Sequence, residues 1–426
     1  MRTDTEIRSI GKIAGSGLSS RCLGCGRGLP APFLDLGRTP LANAYIDPAK
    51  AGEPEATYPL AVAYCPDCHL VQLSERVAPE EMFSEYLYFS SFSQSFLRHA
   101  EAMVGALTDR FDLNANSLVL EIASNDGYLL QYFKQKGVPV LGVEPARNIA
   151  AEAQKRGIPT LNRFFSLESA KDILVRHGAS DVIIGNNVLA HVPDINDFLS
   201  GVRDCLKPTG VAVFEFPYLG DFLENIEFDT IYHEHVFYYS LTAIGILARR
   251  AGLELFDVAH QAVHGGSLRV FLQRPGTRPV ATTVGAMLAD EAQAGFITSA
   301  LYQTFSVKVE GLRRALLAVL GKHKSAGKRL AAYGAAAKGN TLLNYCGIGK
   351  ELLEFTVDRS PHKQGKVLPG SRIPVRPAED LVREMPDYTV ILPWNFADEI
   401  IGQQQEYLRK GGRFIIPVPM PREVSL

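Results

Sequence analysis

The chain is predicted to be an α/β protein built from a small four-cysteine module, a doubly wound parallel sheet, and a second strand–helix unit behind it. Three observations predict this. Two Cys-x-x-Cys pairs lie near the N-terminus, at Cys22/Cys25 and Cys65/Cys68. From residue 117, short apolar runs alternate with helical ones. After a helical stretch at about 282–322 the alternation resumes. Strand–helix alternation builds parallel sheets, whose ligands sit at the carboxyl ends of the strands.

A chain of 426 residues is longer than one core ordinarily serves. The expected division is a loose polar tail at 1–20, a zinc-binding domain at 21–75, a cofactor domain at 76–280 and a C-terminal domain at 281–426. The net charge of −2, with no basic stripe or tail, gives no sign of a nucleic-acid partner. No run of 18 apolar residues occurs and the first residues lack a signal-peptide apolar region, so no membrane span is expected and the cytoplasm is the default compartment.

A two-residue spacer lets both thiolates of a pair reach one ion, and two such pairs complete a tetrahedral site. The competing readings are a redox dithiol or two disulfides. A cytoplasmic chain disfavours disulfides, and one redox couple does not need two matched pairs. Structural zinc held by Cys22, Cys25, Cys65 and Cys68 is therefore expected, with the intervening residues folding over the metal. Cys205 and Cys346 are isolated and read as small buried side chains.

The first strand-to-helix turn of the middle unit is Glu121-Ile-Ala-Ser-Asn-Asp-Gly127. Its Gly, Asn and Asp residues tolerate the left-handed conformation that a tight turn needs. Glu144, at the end of the second strand, is placed to accept hydrogen bonds from both hydroxyls of a ribose. The turn is too poor in glycine for a close pyrophosphate and contains Asp126, so a cationic or zwitterionic ligand is expected. S-adenosylmethionine has the required ribose, amino acid and sulfonium without a phosphate. A nicotinamide fold with a degenerate loop is the alternative.

The four cysteines, "EIASNDGYLL", "NNVLAHVPD", "FDTIYHEH", "HGGSLRV" and "YGAAAKGN" occur in this order. Together they resemble the S-adenosylmethionine-dependent C-methyltransferases of nucleotide-linked deoxysugars, from about Cys22 to the C-terminus. The resemblance implies a class I methyltransferase Rossmann-like domain between the zinc domain and a second Rossmann-like domain. It implies methylation at C-3 of a dTDP-linked 4-keto-deoxysugar. Glu121, Ala123, Ser124, Asn125 and Gly127 would line the methionine end of the cofactor, Glu144 and Pro145 the ribose end, and Asn186 and Asn187 the sulfonium. Ala123 stands where many methyltransferases have glycine.

"TIYHEHVFYYS", residues 230–240, carries the acid–base candidates. Its His-x-Glu-x-His spacing is not that of a helical metal motif, and an aromatic core edge is the structural alternative. Carbon has no lone pair, so C-methylation needs a base and a stabiliser for the enolate oxygen. Histidine suits the base. His235 is taken as base, Glu234 as its neighbour, and Tyr232 and His233 as helpers, as the resemblance also implies. In a strictly extended chain Glu234 faces away from His235, so an irregular loop is required. The resemblance adds a tyrosine from residues 84–96, Tyr86 as catalytic residue, with Tyr88 toward the substrate. "HGGSLRVFL" reads as the last hairpin strand of the sheet.

In the C-terminal unit the turn 334–339, Gly-Ala-Ala-Ala-Lys-Gly, opens a helix and resembles a phosphate-binding turn. Either it binds the nucleotide sugar, through Lys338 with Tyr333, Asp358, Lys363 and Asn395 nearby, or the unit only packs. The expected enzyme is a monomer or homodimer. The alternatives are an O- or N-methyltransferase for another small molecule, or a non-catalytic nucleotide-sugar-binding protein.

Overall fold

A computed structural model describes residues 21–78, 82, 90–92, 94–263 and 265–426. The tail at 1–20 and both Tyr86 and Tyr88 lie outside the described residues. Within those residues the strands form three sheets.

The first sheet starts with β1 (Leu34–Thr39), β2 (Tyr58–Tyr64) and β3 (Val71–Leu73), antiparallel throughout. Cys65 and Cys68 sit at the tip of the β2–β3 hairpin, so the segment between the cysteine pairs supplies most of this sheet. The second sheet is built from β4 (Val119–Ile122), β5 (Val140–Val143), β6 (Thr160–Leu161), β7 (Ser180–Asn186) and β8 (Leu206–Pro217). Next in the chain is β9 (Phe237–Tyr238), which leaves this sheet and pairs with β3 of the first. The chain then returns as β10 (Glu254–Gln261) and β11 (Ser267–Gln273). The order is β10-β11-β8-β7-β4-β5-β6, with β11 antiparallel to both its neighbours and β4 to β8 parallel. This is the class I methyltransferase topology. Its central strands are apolar without alternation because helices cover both faces, and every residue of β4 is buried.

The third sheet has the order β14-β13-β12-β15-β16-β17. Its members are β12 (Leu330–Tyr333), β13 (Thr356–Asp358), β14 (Val375–Pro377), β15 (Tyr388–Ile391), β16 (Arg413–Ile416) and β17 (Arg422–Val424). All are parallel except β17, a half-Rossmann arrangement with an antiparallel edge. The resumed strand–helix alternation is carried by "KRLAAYG", "FTVD" and "YTVIL", which form β12, β13 and β15. β14, β16 and β17 were not singled out from the sequence, although β16 is as long as β12 and β15.

The apolar cores cross the sheet boundaries. Cys22, Cys65 and Cys68 pack in one cluster with Leu247, Phe214 and Ile183 of the middle sheet and its helices. Leu60, Val62 and Val71 of the first sheet share another with Tyr302 and Phe305 of the helix Ser299–Ser325 and with Leu330 of the third. The segment before β9 lies where the three sheets meet.

Candidate active site

The four N-terminal cysteine sulfurs all lie within 4.8 Å of one another. Cys22 Sγ is 3.5 Å from Cys68 Sγ, and Cys25 Sγ is 3.6 Å from Cys65 Sγ. These separations are too long for disulfides. They suit a tetrahedron of thiolates, whose metal bonds near 2.3 Å leave the sulfurs about 3.8 Å apart. The first knuckle is fixed from outside: Leu23 N–H donates to Gln72 Oε1 of β3 and Asn196 Nδ2 donates to Leu23 O.

The turns at the carboxyl ends of β4 and β7 hold backbone in uncommon conformations. Ala123, Asn125 and Asn187 all have positive φ, at 55°, 49° and 54°. For an alanine in particular such a φ is a strained choice, of the kind that collects at ligand sites. Glu121 is 1% exposed and neither carboxylate oxygen has a hydrogen-bond partner. Ser124 Oγ and Asn186 Oδ1 are likewise buried without partners. Burial, then the charges of Glu144 and Asp126, hold the Glu121 carboxyl well above its ordinary range. Buried polar groups of this kind are uncommon in folded proteins and call for an explanation. Glu144 accepts from Ala146 N–H at 2.9 Å and from Asn125 N–H at 3.0 Å, one bond per oxygen, which leaves each oxygen able to accept another. Burial pushes Glu144 up to about 7 against those two bonds.

Asp126 does not do what its place in the turn implied. Its Oδ2 accepts from Arg156 at 3.0 Å and from Ser91 Oγ, so its charge is neutralised within the fold. Of the acids in this turn, Glu121 alone has both carboxylate oxygens without a partner.

The segment after the short helix Phe228–Thr230 turns instead of extending. His235 N–H donates to Tyr232 O at 2.8 Å, a tight turn that brings residues three apart onto one side. His235 Nδ1 donates to Thr230 O at 2.9 Å, because a carbonyl can only accept. That fixes the neutral tautomer with its lone pair on Nε2, which takes the Tyr232 hydroxyl at 2.8 Å. Burial, the neighbouring His191 and the Lys338 charge lower the His235 pKa well below the ordinary histidine value, outweighing the bond to Thr230. His191 stands with its ring centroid 4.8 Å from that of His235, its Nδ1 donating to Glu234 O at 2.7 Å, and burial lowers it to about 4.

The other two members of the cluster point elsewhere. His233 donates from Nε2 to Pro59 O at 3.2 Å, at the start of β2. The Glu234 carboxylate accepts from Asn43 Nδ2 at 2.7 Å and is raised by its own burial. The structure therefore joins Tyr232 to His235 and directs the side chains of His233 and Glu234 toward the N-terminal module.

On the third sheet, the turn after β12 is closed by its own chain. Asp358 accepts from Ala335 N–H at 2.6 Å and Ser360 N–H at 2.8 Å. Lys363 Nζ and the Tyr45 hydroxyl both donate to Ala335 O, and Tyr333 is buried in the core. A side chain at Gly334, where φ is 92°, would run into Pro393. Lys338 turns the other way: Nζ donates to Asn395 Oδ1 at 3.0 Å and lies 4.6 Å from the Trp394 ring centroid. Trp394 Nε1 in turn donates to Asp229 Oδ2 at 2.7 Å, just before the catalytic-turn candidate. Burial pushes Asp229 up to about 6 and Glu227 up to about 7, with Lys338 opposing both. So Lys338 and Asn395 come together at the seam with the middle sheet, whereas Asp358, Lys363 and Tyr333 are taken up inside the C-terminal unit.

With this geometry in view, three family matches tile the chain: a candidate zinc binding domain at residues 22–83, a methyltransferase domain at 96–258 and a C-methyltransferase C-terminal domain at 262–419. The C-methyltransferase NovU of Streptomyces niveus is 38% identical over 405 residues, which are 95% of this chain and 96% of that one. The chain belongs to the S-adenosylmethionine-dependent C-methyltransferases.

Less extensive likenesses to this C-methyltransferase are also found. The ubiquinone biosynthesis O-methyltransferase of Nitrobacter winogradskyi is 34% identical over 110 residues, 24% of this chain and 42% of that one. A solved S-adenosylmethionine-dependent methyltransferase from Clostridium acetobutylicum covers 42% of this chain and 92% of its own at 13% identity, with a TM-score of 0.34. Among the described residues of the C-methyltransferase, no helix is long and apolar enough to cross a membrane.

Several groups in this C-methyltransferase were not singled out from the sequence. His191 ends the quoted "NNVLAH" run, five residues beyond Asn186 on the same strand-end loop, and that position was a usable signal. Asn43 and Trp394 come from loops of the outer units and carry no local signature. Glu215 of β8 accepts from Arg269, its register partner on β11, at 2.8 Å and from His99 of the helix Gln94–Arg110 at 2.7 Å, a group that only the packing of that helix on the sheet assembles.

Proposed function

We propose that this enzyme transfers a methyl group from S-adenosylmethionine to a ring carbon, C-3, of a dTDP-linked 4-keto-deoxysugar. The observation that carries the mechanism is the pinned tautomer of His235, whose Nε2 lone pair shares a hydrogen bond with the Tyr232 hydroxyl. When bound, S-adenosylmethionine supplies an electrophilic methyl group. Glu121, Ala123, Ser124, Asn125 and Gly127 would hold its amino-acid end, Glu144 and Pro145 its ribose, and Asn186 and Asn187 its sulfonium. The unpartnered oxygens of Glu121 support this, since an ammonium group meets their unused acceptors.

A proton on carbon beside a ketone is far less acidic than any side chain, so a base alone cannot remove it usefully. His235 Nε2 takes the proton as the C–H electrons move into the ring and negative charge collects on the ketone oxygen. The Tyr232 hydroxyl, freed from Nε2, is at hand to donate to that oxygen. A neutral imidazole is required, and its depressed pKa keeps it neutral at pH 7. Lys338 and Asn395, beside Trp394, would take the nucleotide diphosphate, and binding there positions the sugar. Zinc in the four-cysteine site would be structural, because four protein ligands leave no open position. Domain boundaries near residues 75 and 280 and a monomeric or homodimeric, cytoplasmic enzyme complete the proposal.

The test combines methyl-deuterated S-adenosylmethionine, a panel of dTDP-4-keto-deoxysugars and D₂O, read by mass spectrometry. Labelled methyl on a ring carbon is expected from the wild type. His235→Asn should lose both methylation and deuterium wash-in while calorimetry finds cofactor affinity within about threefold of normal. Full turnover in His235→Asn would remove it as the base, and label on oxygen or nitrogen would overturn the carbon assignment.

A further inference from the structure

The loop at residues 41–46, between β1 and β2, has no part in the reaction as described above. One of its side chains nonetheless reaches the centre of the molecule. Asn43 Nδ2 donates to Glu234 Oε1 at 2.7 Å across 191 residues of sequence. Glu234 is 7% exposed, so its carboxylate depends on protein donors more than on water.

The loop is held rigidly enough for this. Its own backbone closes through Ala44 N–H to Leu41 O and Tyr45 N–H to Asn43 O, both 3.0 Å. Its far side is anchored to the C-terminal unit at three points. Asn340 Nδ2 donates to Ala42 O at 2.6 Å, the Tyr45 hydroxyl donates to Ala335 O, and Ile46 and Val367 exchange backbone hydrogen bonds at 3.0 and 2.9 Å. The catalytic-turn candidate is tied to the same surroundings, since Thr341 Oγ1 donates to Ile231 O at 3.0 Å and Leu73 N–H to Val236 O at 2.9 Å.

We propose that Asn43 is a positioning residue for methyl transfer: its amide fixes the Glu234 carboxylate, and through it the turn that presents Tyr232 and His235. The proposal rests on the reading of residues 230–236 as the catalytic turn. It also gives the C-terminal unit a task separate from substrate binding, because that unit fixes the loop that bears Asn43. Around the pair stand Tyr45, close enough to feel the Glu234 charge, His191, which donates to Glu234 O, and His233 and His235 in the turn itself. None of these donates to the Glu234 carboxylate among the contacts of the described residues.

The experiment compares Asn43→Ala, Asn43→Asp and His235→Asn with the wild type, measuring methylation and deuterium wash-in from pH 6 to 9, and cofactor binding by calorimetry. Asn43→Ala should lower kcat about 10- to 100-fold, with KM and cofactor Kd changed less than about threefold. Asn43→Asp keeps the shape but needs a proton to donate, so its rate relative to wild type should be low at pH 9 and recover toward pH 6. A purely packing role would leave that ratio flat. An Asn43→Ala enzyme within about twofold of wild type, or a pH-independent Asn43→Asp ratio, overturns the proposal. Should Asn43→Ala also lose cofactor binding, the isosteric Asn43→Asp profile decides alone. Full activity in His235→Asn would sink the underlying reading of the turn. A dead His235→Asn beside an unimpaired Asn43→Ala would sink only the role of Asn43.

Discussion

Glu121, proposed above to meet the cofactor's ammonium group, shows at the scale of one residue what an unpartnered buried carboxylate costs a fold. Its carboxylate is buried with neither oxygen partnered, at the end of β4 beside Gly142 of β5. Because the folded-state pKa is raised, the folded form holds its proton to higher pH than the unfolded chain does. Its contribution to stability is therefore lost as pH climbs above the unfolded value near 4.3. Glu121→Gln should then stabilise the ligand-free protein by about 1–3 kcal/mol at pH 8 and by much less at pH 5. Thermal unfolding at the two pH values checks this. The same variant should weaken S-adenosylmethionine binding at least about tenfold, because an amide cannot neutralise the ammonium. A Glu121→Gln protein less stable than wild type at pH 8 would mean that the carboxylate has a partner inside the fold.

At the scale of elements, the cofactor turn depends on what β5 leaves out. A Cβ on Gly142 would run into Ser124 Oγ and approach Thr160 Oγ1 at 3.1 Å. The strand has an ordinary φ here, so space alone demands glycine. Gly142→Ala is expected to cost about 1–3 kcal/mol and to displace Ser124. Denaturant unfolding and cofactor calorimetry would both register it, and unchanged values in both would show the turn able to yield. The short β9 is the other telling element. Two residues long, it carries the chain out of the middle sheet to Val71 and Gln72 of β3, and so suspends the turn at 232–235 between two sheets. Its shortness hides it from periodicity, because the pattern of a strand requires more residues than this segment gives it. The catalytic reading of "YHEH" required an irregular loop, and the turn at 232–235 supplies one, though it sends the Glu234 carboxylate to Asn43 and not to His235.

At the scale of the molecule, the hairpin of β2 and β3 carries Cys65 and Cys68 at its tip and holds the catalytic-turn candidate through Pro59 and β9. Chelating zinc should therefore abolish deuterium wash-in while cofactor calorimetry stays within about threefold of normal, since β4, β5 and β7 are hydrogen-bonded within the middle sheet and not to the hairpin. Simultaneous loss of both would mean that the shared core around Cys22, Cys65 and Cys68 holds the cofactor sheet as well. Trp394 is the sole tryptophan of the sequence and stands at the seam beside Lys338. Its emission should change saturably with dTDP but not with S-adenosylmethionine. Lys338→Met should weaken the dTDP response about tenfold, roughly 1.4 kcal/mol. A response to S-adenosylmethionine alone would place the seam in the cofactor's reach instead.

The sequence by itself determined what is local. Cys-x-x-Cys spacing identified the four thiolates, apolar runs marked the central strands β4, β5, β7 and β8, and the left-handed residues of 121–127 marked the first turn. Each of these is dictated by a few neighbouring residues and the geometry they permit. Only the tertiary structure decided which charges are free and which side chains meet. Asp126 is neutralised by Arg156, Glu121 is left without a partner, Lys338 faces the seam and Asp358 does not, and Glu234 answers to Asn43. Such pairings join residues tens to hundreds of positions apart. They are set by sheet register and by the packing of three units on one turn, which no local pattern records.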